Sequence, residues 1–421
     1  MAEVPVHPTP PIERVPPPMS NSIESGAPQD GAQSTDSALS IAAITLFGIV
    51  GPLSFLVSPV VTGQMASQLD WSAGTIGLIM GCELAGASLV SFPAMRLLRV
   101  LSPRTVALLA AILFIAANGV SALVTSVDVF LPARIVAGAA GGVLSVVALV
   151  SAARAANPPK AFAYWSGGQT VAAAVGLLYL PDLFVRTGLG GIYGCLAVAA
   201  LLSLVVIGGF GKDLLSSLND GGERHNLKAA RWTLVAIFGF YVAVGGAWAF
   251  VGIPGAELGF TDAGIGMLSS LAMTAGILGS VLASHVGGKA HHNRFVIASY
   301  LLLVLCLGVI EFVADHMVFA GVIVLLQVLW SFLLPLLLAS LAESDDDGNM
   351  VILSNMIIGG GAALGPMLAG YTIDFLGGYG AVATEGGIIL LLSAAAFARS
   401  RSRALVKGAA LQAPSSSLSH G

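Results

Sequence analysis

Leu69-Asp70-Trp71-Ser72-Ala73-Gly74-Thr75-Ile76-Gly77-Leu78 returns in the second half of the chain as Leu258-Gly259-Phe260-Thr261-Asp262-Ala263-Gly264-Ile265-Gly266-Met267. Leu, an aromatic ring, Ser or Thr, Ala-Gly and Ile-Gly recur at an offset of 189 or 190 residues, and Ala85-Gly86 is matched by Ala275-Gly276. In each copy a hydroxyl residue, Ser72 or Thr261, stands where a helix N-cap is needed, just before a long apolar run. The two stretches therefore mark the same place, the entry to a second helix, in two copies of one unit.

The surroundings say what kind of unit it is. Of the 421 residues 56% are hydrophobic and only 10% charged, against roughly 25% charged in soluble domains, and the mean hydropathy is +0.90. The 52 glycines suit close helix packing in lipid, where small residues let backbones approach. A net charge of −4 gives no basic field for nucleic acid. Cys82, Cys195 and Cys306 lie inside apolar runs and read as small hydrophobes, with neither a disulfide framework nor metal-ligand spacing.

A membrane span needs about 20 mostly apolar residues. Twelve are expected, near 40–63, 74–95, 104–125, 128–152, 161–181, 189–209, 231–253, 263–286, 294–314, 317–341, 350–372 and 380–398. They are apolar all along, without the alternation of a lipid-facing barrel, so they read as helices. With both termini on one side, that side collects Arg14, Arg96, Arg99, Arg104, Arg154, Lys160, Lys212, Arg224, Lys228, Arg231, Lys289, Arg294, Arg399, Arg401, Arg403 and Lys407, 16 of the 18 Lys and Arg residues, leaving only Arg134 and Arg186 elsewhere. The positive-inside rule then makes both termini cytoplasmic.

The expected organisation is a disordered, proline-rich tail over 1–38, a six-helix bundle over 39–210, a cytoplasmic linker over 211–230, a second bundle over 231–400 and a tail over 401–421, disordered after about Leu405. The first tail lacks the basic and apolar regions of a signal peptide. The fold class is all-α, twelve transmembrane helices in two pseudo-symmetric six-helix bundles, and parallel repeats of this kind place a substrate site between the halves.

Span four opens Leu131-Pro132-Ala133-Arg134-Ile135-Val136-Ala137-Gly138-Ala139-Ala140-Gly141-Gly142. It resembles the Arg-x-x-x-Gly-x-x-x-Gly signature of the major facilitator superfamily, with Arg134, Gly138 and Gly142 in register. The loop after span two, Gly86 through Met95-Arg96-Leu97-Leu98-Arg99-Val100-Leu101-Ser102-Pro103-Arg104, occupies the place of that family's glycine, acidic and basic loop signature, with Phe92-Pro93-Ala94-Met95 where the family carries Asp. Gly287-Gly288-Lys289 is the closer second-half counterpart. In span eleven, Gly359-Gly360-Gly361 and Gly365-Pro366 resemble a bendable gating helix. The resemblance covers roughly 40–400 and implies a secondary transporter. Span five lacks the Gly-Pro signature of the family's drug/proton antiporters, which favours symport or uniport over efflux.

Ionisable residues within spans are costly and therefore candidates for function, at about 2.5–3.5 kcal/mol each on insertion scales. Glu83, in the middle of span two, suits proton binding and release, because burial penalises its charged form; the plainer reading is a structural hydrogen-bonding partner. Arg134 could bind a substrate carboxylate bidentately, pair with Glu83 to control proton access, or bond backbone carbonyls. Gln169, Gln327, Asn355 and, with less weight, Asn118 could orient a substrate or bond across helices. Trp248 and Trp330 could stack on a substrate ring, although aromatics in such helices more often pack. Glu311, Tyr179 and Tyr241 read mainly as interfacial or packing residues, His285 as solvated, and Asp345-Asp346-Asp347 as an acidic loop. Gly138 and Gly142 lie on one helix face and permit tight packing, and Gly365 and Pro366 are the gating pair.

No Walker-type loop, Ser-His-Asp set or metal quartet is present, so neither an enzyme nor a cofactor is expected. The expectation is a monomeric, proton-coupled uptake carrier in the cell (inner) membrane for a small organic solute, aromatic or carboxylate-bearing. Efflux, or a non-transporting sensor on the same fold, is the alternative.

Overall fold

The structure, a computed structural model, describes residues 37–211, 227–286, 291–342 and 350–412, and among these the regular structure is entirely helical. The expected tail up to residue 36, the linker over 212–226, the glycine–lysine loop at 287–289 and the acidic run at 345–347 lie outside the described residues.

The first span is broken into α1 (Ala38–Val50), α2 (Leu53–Leu56) and α3 (Ser58–Leu69). The second comprises α4 (Ala73–Leu89) and α5 (Ser91–Leu98). Next come α6 (Pro103–Leu123), α7 (Val127–Ala153), α8 (Pro158–Thr187) and α9 (Gly190–Ser203), the last finished by a 3-10 turn over Leu204–Gly209. The second half holds α10 (Leu227–Phe250), the short α11 (Gly252–Glu257), α12 (Asp262–Val286), α13 (His292–Phe312), α14 (His316–Ala342), α15 (Met350–Leu376) and α16 (Tyr379–Gln412). Among the described residues, eleven helical runs are long and apolar enough to cross a membrane, the broken first span being a twelfth crossing in pieces. This is a multi-pass membrane protein.

Both hydroxyls picked out by the repeat are caps. Ser72 Oγ accepts from Thr75 N at 3.2 Å and Thr261 Oγ1 from Gly264 N at 3.1 Å. Two expectations are corrected. The run at 40–63 is not one helix, because Pro52 has no N–H to give the ladder and Gly51 is pressed against α7, where a Cβ would meet the Gly141 carbonyl at 2.6 Å. At the other terminus α16 continues past Leu405 to Gln412, since Ala404, Leu405, Lys407, Ala409, Ala410 and Leu411 are good helix formers.

The repeat is also visible in space. The halves meet along two seams, α4 on α15 and α8 on α12. On the first, a Cβ at Gly77 would strike the Pro366 carbonyl and one at Gly81 the Ala363 carbonyl. Moving each residue by 189 positions gives the second seam: a Cβ at Gly266 would strike the Leu177 carbonyl, and Ser270 Oγ donates to the Ala174 carbonyl at 2.8 Å. The seams then diverge. Toward the end where Ala38 and the end of α16 lie (the tail end), α4 and α15 stay in contact down to Ser88 and Gly359. The matching residues, Thr170 and Ile277, are half-buried and exposed.

At the far end the halves are closed. Thr62 Oγ1 donates to the Ala249 carbonyl at 2.8 Å, Trp248 Nε1 to the Leu56 carbonyl at 3.3 Å, and Gly74 N to Asp374 Oδ2 at 2.9 Å. Asp374 stands in the last turn of α15, where a negative charge opposes its own helix dipole, but at the start of α4, where it complements that one. Its repeat partner is Val185, which has no carboxylate, and the partner of Gly74 is Gly264. The bond is therefore peculiar to one seam.

Gly77→Ala and Gly266→Ala should each lower thermal stability in detergent by about 1–3 kcal/mol, the cost of overpacking against backbone that cannot move aside. Gly119→Ala, in α6 with open space around it, should be neutral or stabilising. Equal melting temperatures for all three would contradict the seam geometry.

Candidate functional site

Arg134 and Gly138 lie one turn apart on α7 and so share a face. The glycine decides how close α4 comes: a Cβ at 138 would overlap the carbonyl of Glu83, and one at 142 would lie 2.7 Å from the Ala87 Cα. Gly86 of α4 returns the approach, its Cβ position being 2.8 Å from the Ile135 carbonyl. With the backbones this near, the Arg134 fork reaches both carboxylate oxygens of Glu83. Nη2 lies 2.5 Å from Oε1 and Nε 3.1 Å from Oε2. Such bidentate, charge-assisted pairs are the strong ones.

The rest of the guanidinium is equally occupied. Nη1 donates to Asn118 Oδ1 at 2.9 Å and Ser121 Oγ at 3.3 Å, both on α6. These acceptors are themselves oriented, because Asn118 Nδ2 donates to the Phe114 carbonyl and Ser121 Oγ to the Ala117 carbonyl. The Tyr193 ring of α9 covers the guanidinium face, 4.5 Å from Cζ to the ring centroid, a cation–π contact. Arg134 is 0% exposed while the Glu83 side chain is 11% exposed, so any approach to the pair is through the carboxylate. Ser54 Oγ of α2 lies 3.4 Å from Glu83 Oε2. Beside them a cavity of about 10 Å³ is lined by Ser54, Phe55, Met80, Leu84 and Gly138, among others, room for about one water.

Phe55 joins this pocket to an aromatic cluster. Its ring centroid is 6.3 Å from that of Trp330, and Trp330 meets Phe240, Tyr241 and Trp248 edge-to-face at 6.4, 5.9 and 6.4 Å. Trp330 is half-buried, and the other four rings are buried. The cluster spans α2, α10 and α14, so both halves build it.

Residues 39–233 match the family described as Major Facilitator Superfamily. Over those residues, somewhat under half of its length, the chain is similar to the major facilitator superfamily. Among solved structures, this chain is similar to the nucleoside transporter NupG at a TM-score of 0.68 and 11% identity, covering 86% of this chain and 99% of that one. It is also similar to a bacterial homologue of the human lysosomal transporter Spinster, in an inward-facing and occupied conformation, at 0.68 and 14%, covering 88% and 98%. The human organic anion transporter MFSD10 gives 0.63 and 17%, covering 85% and 98%. At these identities the likeness is one of fold. No curated protein sequence matches the chain. The family and these neighbours are transporters rather than enzymes.

Within the facilitator fold the candidates separate. Glu83 and Arg134 come together, Trp248 and Trp330 come together, and Phe55 links the pairs. The polar three lie apart. Gln169 Nε2 donates to the Gly48 carbonyl at 3.2 Å and ties α8 to α1. Gln327 is buried between α14 and α12, with Nε2 3.3 Å from Met273 Sδ and Oε1 lacking a hydrogen-bond partner. Asn355 is exposed near the tail end of α15. Gly365 and Pro366 pack rather than stand free: a Cβ at 365 would meet the Val242 carbonyl at 2.5 Å, and the Pro366 carbonyl faces Gly77. Among the described residues no group of three or more His, Cys, Asp or Glu could hold a metal ion. Sequence reasoning misses Ser54, Ser121, Tyr193 and Glu385, whose Oε2 accepts from Thr372 Oγ1 at 2.5 Å. Ser121 had a signal, since it follows Asn118 at i+3 on one face of an apolar helix. Tyr193, in an ordinary apolar run, had none.

Glu83→Gln and Arg134→Gln each leave one buried charge uncompensated, which costs about 3–5 kcal/mol. The double variant should recover most of that loss in a thermal melt, because neither charge remains. A double variant as unstable as the sum of the singles would show that the two side chains are not coupled.

Proposed function

We propose that the chain is a secondary active transporter that moves a small organic solute by alternating access, works as a monomer and couples uptake to protons through Glu83. The observation that carries the coupling is the bidentate Glu83–Arg134 pair, buried between α4 and α7 with only the carboxylate side reachable. A proton arriving at Glu83 neutralises it and breaks two charge-assisted bonds. Arg134 keeps Asn118, Ser121 and the Tyr193 ring, so its charge stays held while Glu83 is released. A proton entering down the membrane potential supplies about 2.3 kcal/mol per 100 mV, enough to concentrate a solute several tens of times.

The two seams related by the repeat support alternating access. Closed at the far end and parted between α8 and α12 at the tail end, they fit one of the two states such a carrier needs. The lysine and arginine bias supports a cytoplasmic tail end and a cell (inner) membrane location. The state described is then the inward-open one, and Asp374 on the start of α4 is the latch of the outer gate. The missing Gly-Pro signature in span five favours uptake over efflux.

In proteoliposomes Glu83→Gln should abolish pH-driven accumulation of solute while leaving solute exchange across the membrane. Proton-driven uptake at the wild-type rate would sink the coupling role. Asp374→Asn should weaken the latch by about 1 kcal/mol, multiplying the outward-open population roughly fivefold. The readout is labelling of a cysteine at Val60, buried two residues before Thr62 of the gate, by a membrane-impermeant maleimide. An unchanged labelling rate would remove Asp374 from the gate.

A further inference from the structure

The charge of the cargo can be read from what the centre has left to offer. Four of the five N–H donors of Arg134 are used, Nε and one of Nη2 on Glu83 and both of Nη1 on Asn118 and Ser121, and the face lies on Tyr193. None of it is exposed. A carboxylate on the solute would have to displace Glu83 and leave that acid buried beside it. An ammonium would have to compete with Arg134, which holds both Glu83 oxygens. The pair sums to zero charge. Among the described residues the other buried Asp, Glu, Lys, Arg or His side chain is His292 at the start of α13, where Nε2 lies 2.7 Å from Ser340 Oγ, in the bundle of the other half. An ion lodged mid-membrane without a counter-charge is costly.

What the two halves do share is ring surface. Trp330 is the half-buried member of the five-ring cluster, with Phe240, Tyr241 and Trp248 packed edge-on around it and Phe55 tilted against it. Trp248 Nε1 is already given to the Leu56 carbonyl and the Tyr241 and Trp330 side chains hydrogen-bond each other, so the cluster offers mainly faces. Next to it, through Phe55, stand Ser54 and the exposed edge of Glu83, which can hydrogen-bond a neutral polar group.

We infer that the cargo is an uncharged solute with a planar ring, seated on Trp330 with its polar edge toward Ser54 and Glu83. This deepens the carrier reading and rests on it. It also sets aside a carboxylate-bearing cargo, because the cation that would bind it is spent within the protein.

Three indoles of matched shape test it: indole-3-acetamide (neutral), indole-3-acetate (anionic) and tryptamine (cationic). Thermal-shift titrations on the purified protein should give a dissociation constant at least tenfold lower for the amide than for either ion. Trp330→Ala should remove that binding, and Trp330→Phe, which keeps a ring and guards against misfolding, should retain the ranking. Equal or tighter binding of the acetate or the amine would overturn the inference, as would failure of all three to bind. Flux measurements in proteoliposomes separate it from the reading it rests on. Binding of the amide without its transport would refute the carrier and leave the charge selectivity standing. Transport of the acetate in preference to the amide would refute the charge selectivity and leave the carrier standing.

Discussion

Arg134 and Glu83 hold each other in a place where either charge alone would be costly. Isolated burial of either charge costs several kcal/mol, and the fork geometry offsets it only because the partner's two oxygens are within reach. That reach is set by an absence. Gly138 has no side chain, α7 lies on the backbone of Glu83 itself, and the fork one turn away closes on the carboxylate. The helix contact and the ion pair are thus one feature. A larger residue at 138 would separate the helices and strand both charges, while loss of either charge would leave the helices close with nothing to justify the buried polar group. Asn118, Ser121 and Tyr193 complete the same arrangement, bringing α6 and α9 into it.

Much of this was legible beforehand. Hydropathy and the one-sided lysine and arginine distribution carry the span count, and the Leu69 and Leu258 stretches carry the duplication, because both depend on solvent and sterics acting on every copy alike. Residues matched by 189 positions, Gly77 with Gly266 and Pro366 with Leu177, turn out to meet in matched pairs. Arg134, Gly138 and Glu83 were also readable, since a charge or a glycine in an apolar helix has few cheap explanations.

What the sequence hides is local or depends on partners far along the chain. Pro52 in an apolar run looks tolerable until α7 is seen pressed against Gly51. Gln169, Gln327 and Asn355 look alike as polar residues in spans, yet one ties two helices, one is buried with a sulfur for company and one is exposed. Tyr193 resembles any packing aromatic until the guanidinium beneath it is placed. Asp374 sits among the ordinary residues of a helix end, and its meaning lies 300 residues away, at Gly74.

The broken first span has a consequence for how the chain is made. Its α1 packs within its own half, against α7 and α8, whereas α3 leans on α10 and α12. Thr62, in α3, bonds a carbonyl that follows it by 187 residues. During synthesis the front of the molecule therefore enters the bilayer with half of its first crossing still lacking its neighbours. The amino-terminal half can assemble its bundle but not finish it. Completion waits for the ribosome to deliver α10 and α12, so the first crossing is finished only by the seventh and eighth.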